Sequence, residues 1–224
     1  MPNWVYALDM AGSEVMTFTN RELVTNLSRN IGQIYTESFP MPKHNLKRFQ
    51  YKHTGHKMTK ELKELHDPIP FNLTIYKGAK AWKLPRTFVN FLLQHPVALK
   101  FQGIYKIICI FLTQYYISEW AKLTFIADEM VIPTLSRISD TLEQDDGSWT
   151  VKQDNVPLDR YHYQLWSRRL CHGKTRHNVC VFSMSDLANI VQSQCIIVNK
   201  VISDFDPVIG ECIRDNVRRR EMLE

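Results

Sequence analysis

The chain of 224 residues has no internal repeat, no low-complexity tract and no apolar run long enough to make a membrane span of about 20 residues. Its most apolar stretch, Ile104 to Ile117, is interrupted by Lys106 and Gln114, which favours a buried helix or strand. Signal-peptide chemistry is missing at the start. Met1 is followed by Pro2, Asn3 and Trp4, with neither a cationic opening nor an apolar core. Concentrated charge is missing too: the net +5 comes from basic residues spread along the chain, apart from Arg218-Arg219-Arg220 and a Lys/His-rich stretch from Lys43 to Lys63. Spread charge of this kind marks a solvated surface and argues against a nucleic-acid partner. A dedicated metal set is also lacking. His53 and His56 have a metal-like spacing but no carboxylate or cysteine close by, so a solvated loop explains them.

What is present is the composition of a globular protein with a real core, 44% hydrophobic and 23% charged. Five cysteines make an odd count. Cys171 and Cys180 flank a polar loop containing Gly173, which suits a small local disulfide in an oxidising compartment, whereas Cys109, Cys195 and Cys212 sit in apolar surroundings. Sequons at Asn26 and Asn72 are N-glycosylation candidates and fit the same compartment.

Along the chain, Trp4 to Asp9 reads as a short strand, and Thr19-Asn20-Arg21-Glu22 as a capping box followed by Leu23, Val24, Leu27 and Ile31 at helical spacing. Pro40 to Pro70 reads as a long surface loop, of the kind that is usually functional. Phe71 to Tyr76 alternates like a strand, Gly78 breaks it, and Ala81 to Leu84 follows as a second short strand. Arg86 to Leu93 has helical spacing through Phe88, Phe91 and Leu92. Helical pieces are expected at Glu119 to Lys122 and at Glu129 to Ile138, the second capped by Asp128, with a mobile polar loop over Gln144 to Asp159. Ser185 is placed to cap a helix through Val191, Cys195 to Val198 is a β-branched strand, and Asp206-Pro207 opens the last helix. Alternating strands and helices indicate a single α/β unit.

Several blocks, taken in order, resemble one known family. They are Tyr6-Ala7-Leu8 with Gly12 and Thr19-Asn20-x-Glu22-Leu23-Val24; Glu37 with Arg48 eleven residues on; and Lys77-Gly78-Ala79 through Arg86-Thr87-Phe88-Val89. Then come Glu119-Trp120-Ala121-Lys122-x-Thr124-Phe125-x-x-Asp128-Glu129 with Pro133-Thr134-Leu135, and finally Arg176, Cys180-Val181-Phe182, Asp186-Leu187, Asn199-Lys200, Asp206 and Cys212. Together they are similar to the core-2/I-branching β-1,6-N-acetylglucosaminyltransferases. The resemblance covers nearly the whole chain and implies an α/β fold: the C-terminal part (1–224) of a single GT-A-like catalytic domain, a mixed sheet flanked by helices. The N-terminal nucleotide-binding half, the stem and the membrane anchor are expected to be missing. Residues 101–116 lie where the family has a continuous helix and read as an atypical insertion or a retained intron.

The resemblance implies inverting transfer without a metal, N-acetylglucosamine passing from UDP-N-acetylglucosamine to the 6-hydroxyl of an acceptor such as an O-glycan. Glu129 is the implied base, and Trp120 and Phe125 ahead of it would desolvate the carboxylate and raise its pKa. Lys200 would meet the departing diphosphate. Arg176 would be its partner, although the family's arginine position is His177 here. Acceptor contacts are implied at Glu37 and Arg48, with Asn45 at the intervening lysine position, and at Trp166. The Cys171–Cys180 disulfide is implied as well, and Cys212 is expected to be a free thiol. Asp204-Phe205-Asp206 looks like an Asp-x-Asp metal motif, but capping by Asp206 accounts for it. No metal cofactor is expected; the partners are a UDP-sugar donor and a glycan acceptor on a glycoprotein, on the lumenal side of the Golgi membrane. With the donor half absent, this chain is expected to bind UDP-sugars weakly or not at all. The alternatives are an inactive glycan-binding or partner-binding remnant and a related xylosyl- or glucosyltransferase.

Overall fold

The computed structural model describes residues 4–52, 65–102, 121, 124, 126–138, 150–151, 161–166 and 170–224. The expectations for His53 and His56, for Glu119 to Lys122 other than Ala121, for 103–116 and for most of 144–159 lie outside them. In chain order the regular elements are β1 (Tyr6–Leu8), β2 (Glu14–Met16), α1 (Asn20–Ser28), β3 (Gln33–Thr36), β4 (Phe39–Pro40), β5 (Tyr76–Lys77), β6 (Trp82–Pro85), α2 (Arg86–Gln94) and α3 (Pro96–Gln102). They continue with α4 (Val131–Ile138), β7 (Thr150–Val151), β8 (His162–Gln164), β9 (Lys174–Arg176), β10 (Val179–Val181), α5 (Leu187–Gln192), β11 (Ile197–Asn199) and α6 (Pro207–Glu221). The fold is mixed α/β. No helix among the described residues is long and apolar enough to cross a membrane.

The chain divides into two compact units. The first holds Met1–Leu8 and Gly32–Asp154. Its main sheet has the order β1-β6-β3-β7, and a separate pair joins β4 to β5. Helix α2 buries Phe88 and Leu92, one turn apart, and stops at His95 because Pro96 forces the residue before it into an extended conformation. Those side chains meet Ile34, Leu84, Phe101, Met130 and Leu135 in one core. Full burial of a ring such as that of Phe88 contributes about 2–3 kcal/mol.

The second unit holds Asp9–Ile31 and Asn155–Glu224. A three-stranded sheet has the order β2-β11-β8, with β11 antiparallel to β2 and parallel to β8, and β9 pairs with β10 in a separate hairpin that bonds to Leu165 and Lys200, just past the ends of β8 and β11. Cys180, Phe182, Ile190, Val198, Ile209 and Ile213 form the core. The Thr19–Glu22 capping box opens α1 as expected, both reciprocal bonds being made. Asp206 opens α6, its side chain accepting from the amides of Val208 and Ile209.

Several local expectations need correction. Phe71 to Tyr76 is not a strand: Pro70 starts a 3-10 turn in which Phe71 and Asn72 have φ of 56° and 53°, leaving only Tyr76–Lys77 extended. Asp128 does not cap α4. It lies inside a 3-10 turn, Ala127–Glu129, that precedes the helix. Ser183 and not Ser185 forms the cap ahead of α5, because Asp186 sits three residues beyond it and completes a capping box. Helix α1 ends at Ser28, so Ile31 lies past it and is exposed.

Candidate functional site

In the first unit the site is built around Glu129, the last residue of its 3-10 turn, with a side chain 27% exposed. Glu129 Oε2 accepts a hydrogen bond from an Arg48 guanidinium nitrogen at 2.7 Å and lies 3.3 Å from Lys77 Nζ. Both cations are mostly buried, 15% and 19% exposed. Oε1 has no hydrogen-bond partner among the described residues. Arg48 closes a short 3-10 helix, Lys43–Arg48, while Lys77 ends β5 with its ammonium 5.5 Å from the Phe39 ring centroid.

Gly78 locks this arrangement. Its amide donates to the Glu129 carbonyl at 2.9 Å. A β-carbon there would collide with the Glu37 carbonyl oxygen and stand 2.8 Å from Pro133 Cγ. The strand ends are also tied to α4: Ser38 Oγ donates to the Pro133 carbonyl at 2.9 Å, Arg137 donates to Ser38 at 2.7 and 3.1 Å, and the Tyr76 amide donates to Thr134 Oγ1 at 3.0 Å. The Glu37 carboxylate has no charged partner among the described residues. Thus Glu37, Arg48 and Glu129, read from distant parts of the sequence, belong to one constellation about Gly78. Lys77 belongs to it too; sequence reading passed it over, although it adjoins the glycine that anchors the block. Trp120 and Phe125 lie outside the described residues.

In the second unit, Cys171 and Cys180 form a disulfide across nine residues. The hairpin inside that loop turns on His177 and Asn178, with φ of 52° and 65°, the two positive values that a tight two-residue hairpin requires. Arg176 therefore ends β9, exposed and paired with Val179, and His177 is in the turn itself. On the other edge of β10 the Lys200 amide donates to the Cys180 carbonyl at 3.2 Å and the Lys200 carbonyl accepts from Phe182 at 2.9 Å. Arg176 and Lys200 thus flank the same strand. Trp166 is also in this unit, 65% exposed, just beyond β8. Cys195 and Cys212 form no disulfide among the described residues.

Two carboxylates that sequence reading had not placed at any site organise the second unit. Glu14 Oε1 accepts from His162 Nε2 at 2.9 Å and from Asn199 Nδ2 at 2.8 Å, and Oε2 accepts from the Ala11 amide at 2.6 Å. Burial pushes the Glu14 pKa up, but these hydrogen bonds and the His162 charge outweigh it and hold it below its ordinary value. Asp186 is fully buried, and burial is again outweighed, here by the Ser183 and His172 amides and the His172 ring, so its pKa is also lowered. The side-chain partners of Glu14 are distant in sequence, so no local motif signals it, whereas Asp186 belongs to the local Ser183 capping box and also reaches back to His172. Both oxygens of Asp206 are engaged, Oδ1 at the start of α6 and Oδ2 by the Met184 amide at 2.8 Å, in agreement with a capping role.

These features coincide with one family. The pattern described as Core-2/I-Branching enzyme matches residues 1–191, and the chain belongs to that family. Among curated relatives, it is 30% identical over 227 residues to the mouse (Mus musculus) N-acetyllactosaminide beta-1,6-N-acetylglucosaminyl-transferase, covering 98% of this chain and 52% of the mouse protein. The human (Homo sapiens) protein of the same name is 28% identical, with 98% of this chain and 51% of the relative covered. A zebrafish (Danio rerio) beta-1,3-galactosyl-O-glycosyl-glycoprotein beta-1,6-N-acetylglucosaminyltransferase 4 is 21% identical, with 99% and 50% covered. The chain spans about half the length of the curated relatives it matches.

Proposed function

We propose that the chain is the acceptor-side and base-bearing part of an inverting β-1,6-N-acetylglucosaminyltransferase with a GT-A-like catalytic domain. The observation that carries this reading is the polarised Glu129 carboxylate. Two cations hold Oε2, which leaves Oε1 to take a proton. As the acceptor O6 attacks the anomeric carbon of UDP-N-acetylglucosamine, its proton passes to Glu129 Oε1. The bond from that carbon to the diphosphate breaks with its electron pair leaving on UDP, and Lys200 with Arg176 meets the developing charge without a metal. Glu37 and Arg48 hold acceptor hydroxyls through charge-assisted hydrogen bonds, and Trp166 offers an aromatic face. The names of the two relatives of highest identity given above favour an N-acetyllactosamine acceptor. The disulfide fits the lumen of the secretory pathway, which supports a Golgi location.

Transfer from UDP-N-acetylglucosamine to N-acetyllactosamine, assayed by mass spectrometry with the complete gene product, tests the reading. Glu129→Gln should lower turnover by about 10²–10⁴-fold with the fold retained; undiminished turnover would sink the base assignment. A donor panel containing UDP-xylose and UDP-glucose separates the related transferases.

A further inference from the structure

The 3-10 helix Lys43–Arg48 spends charge on one side and displays it on the other. Three residues complete each turn of such a helix, so side chains at i and i+3 eclipse, about 6 Å apart along the axis. Asn45 and Arg48 therefore share a row, and it is the inward one: Asn45 is buried, and Arg48 reaches in to Glu129 Oε2. The other two rows, Lys43 with Leu46 and His44 with Lys47, are exposed. Lys47 thus faces solvent directly before the arginine that holds the candidate base.

No acid answers the cations of the outer rows. Among the described residues of the first unit, Asp67 pairs with Lys52, Asp128 with Lys80, and Glu129 with Arg48 and Lys77. Glu37, the remaining carboxylate, makes no ion pair among the described residues. Lys43 and Lys47 have no carboxylate partner there either, so this rim of the site keeps a positive potential. His44 adds a ring N–H beside Lys47.

We propose that Lys43, His44 and Lys47 recognise an acidic group on the acceptor glycan, a carboxylate or a sulfate ester carried by a sugar neighbouring the attacked hydroxyl. The inference rests on the acceptor reading of Glu129 and Arg48 given above and adds the chemical class of acceptor. An oligosaccharide with its hydroxyl on Glu129 Oε1 extends over the surface around the base, and long flexible stems let both lysines meet a charge there. A neutral glycan leaves the two ammonium groups to water, whereas an anionic one takes charge-assisted hydrogen bonds from them.

Affinity titrations of the full chain with neutral, sialylated and sulfated N-acetyllactosamine test this, with melting curves confirming that each variant folds. At low salt the acidic glycans should bind about fivefold more tightly than the neutral one, and the gap should close as salt rises. The double variant Lys43→Gln, Lys47→Gln should lose the gap while neutral binding stays unchanged; Lys43→Arg, Lys47→Arg should keep it. A preference for one of the two acidic glycans alone supports the site and identifies the anion it takes. Equal affinity for neutral and acidic glycans, or a gap that survives in the glutamine variant, overturns the inference and leaves the acceptor reading standing. A gap that appears only when the acid lies in the peptide of a glycopeptide overturns the assignment to the glycan. Failure to bind all three glycans overturns this inference and the acceptor reading together.

Discussion

The two units treat charge in opposite ways. In the first, the candidate base Glu129 already has its counter-ions, since Arg48 and Lys77 both lie on its Oε2. In the second, the exposed Lys174 and Arg176 and the half-buried Lys200 have no carboxylate partner among the described residues, while the carboxylates Glu14 and Asp186 are engaged in hydrogen bonds that build the scaffold. A paired, partly buried carboxylate is held in one orientation and suits proton transfer to a defined oxygen. Cations without a carboxylate partner leave a positive potential at the surface. Under the proposed function, the contrast assigns base chemistry to the first unit and leaving-group chemistry to the second.

The largest effect is expected where the first unit has no slack. Gly78→Ala should destabilise that unit by about 3–5 kcal/mol, because the new methyl meets the Glu37 carbonyl and Pro133 rather than a flexible side chain. Chemical denaturation would measure it, and a change within 1 kcal/mol would mean that Glu37 and Glu129 are not locked together through Gly78. Next comes the second unit's disulfide. Closing a loop of nine residues contributes about 2.5 kcal/mol by chain entropy, so Cys180→Ser should cost about that much and lower the melting temperature. Non-reducing peptide maps that find Cys171 and Cys180 unlinked would remove the basis of the comparison.

Acid should act on the second unit through Glu14 and Asp186. Both have folded pKa values below their unfolded ones, so their stabilisation is complete above the unfolded value of about 4 and is lost as pH falls through the folded value. Asp186→Asn should flatten the acid limb of a stability–pH curve followed by circular dichroism; a parent curve flat down to pH 2 would contradict this. The smallest effect on stability concerns modification. Asn72 stands exposed in a turn, whereas Asn26 lies half-buried within α1. Glycopeptide mapping after secretory expression should find the glycan on Asn72, with Asn72→Gln changing the melting temperature by little. Occupancy at Asn26 alone would reverse the assignment.

Legibility in the sequence followed the range of the cause. The Thr19–Glu22 box, the Asp206-Pro207 helix start, the Phe88–Leu92 face and the Cys171–Cys180 pair are set by residues within a turn or a short loop, and each was readable. The apparent strand from Phe71 failed because Pro70 and two left-handed residues override an alternating pattern. The cap at Ser183 was missed because its partner, Asp186, was read as part of a family block and not as a capping acid.

Taken alone, the sequence determined the family, the α/β class and the identity of Glu129, Arg48 and Lys200 as candidates, since ordered blocks of residues survive without knowledge of contacts. Only the tertiary structure decided which oxygen of Glu129 is engaged and that Lys77 joins Arg48 on it. Those facts depend on strand pairing and side-chain approach between residues up to 81 positions apart, as in Arg48 and Glu129. One-dimensional spacing carries no record of such distances. The carboxylate that the sequence singles out as the candidate base is thus a residue whose surroundings are set by neighbours from two other segments of the chain.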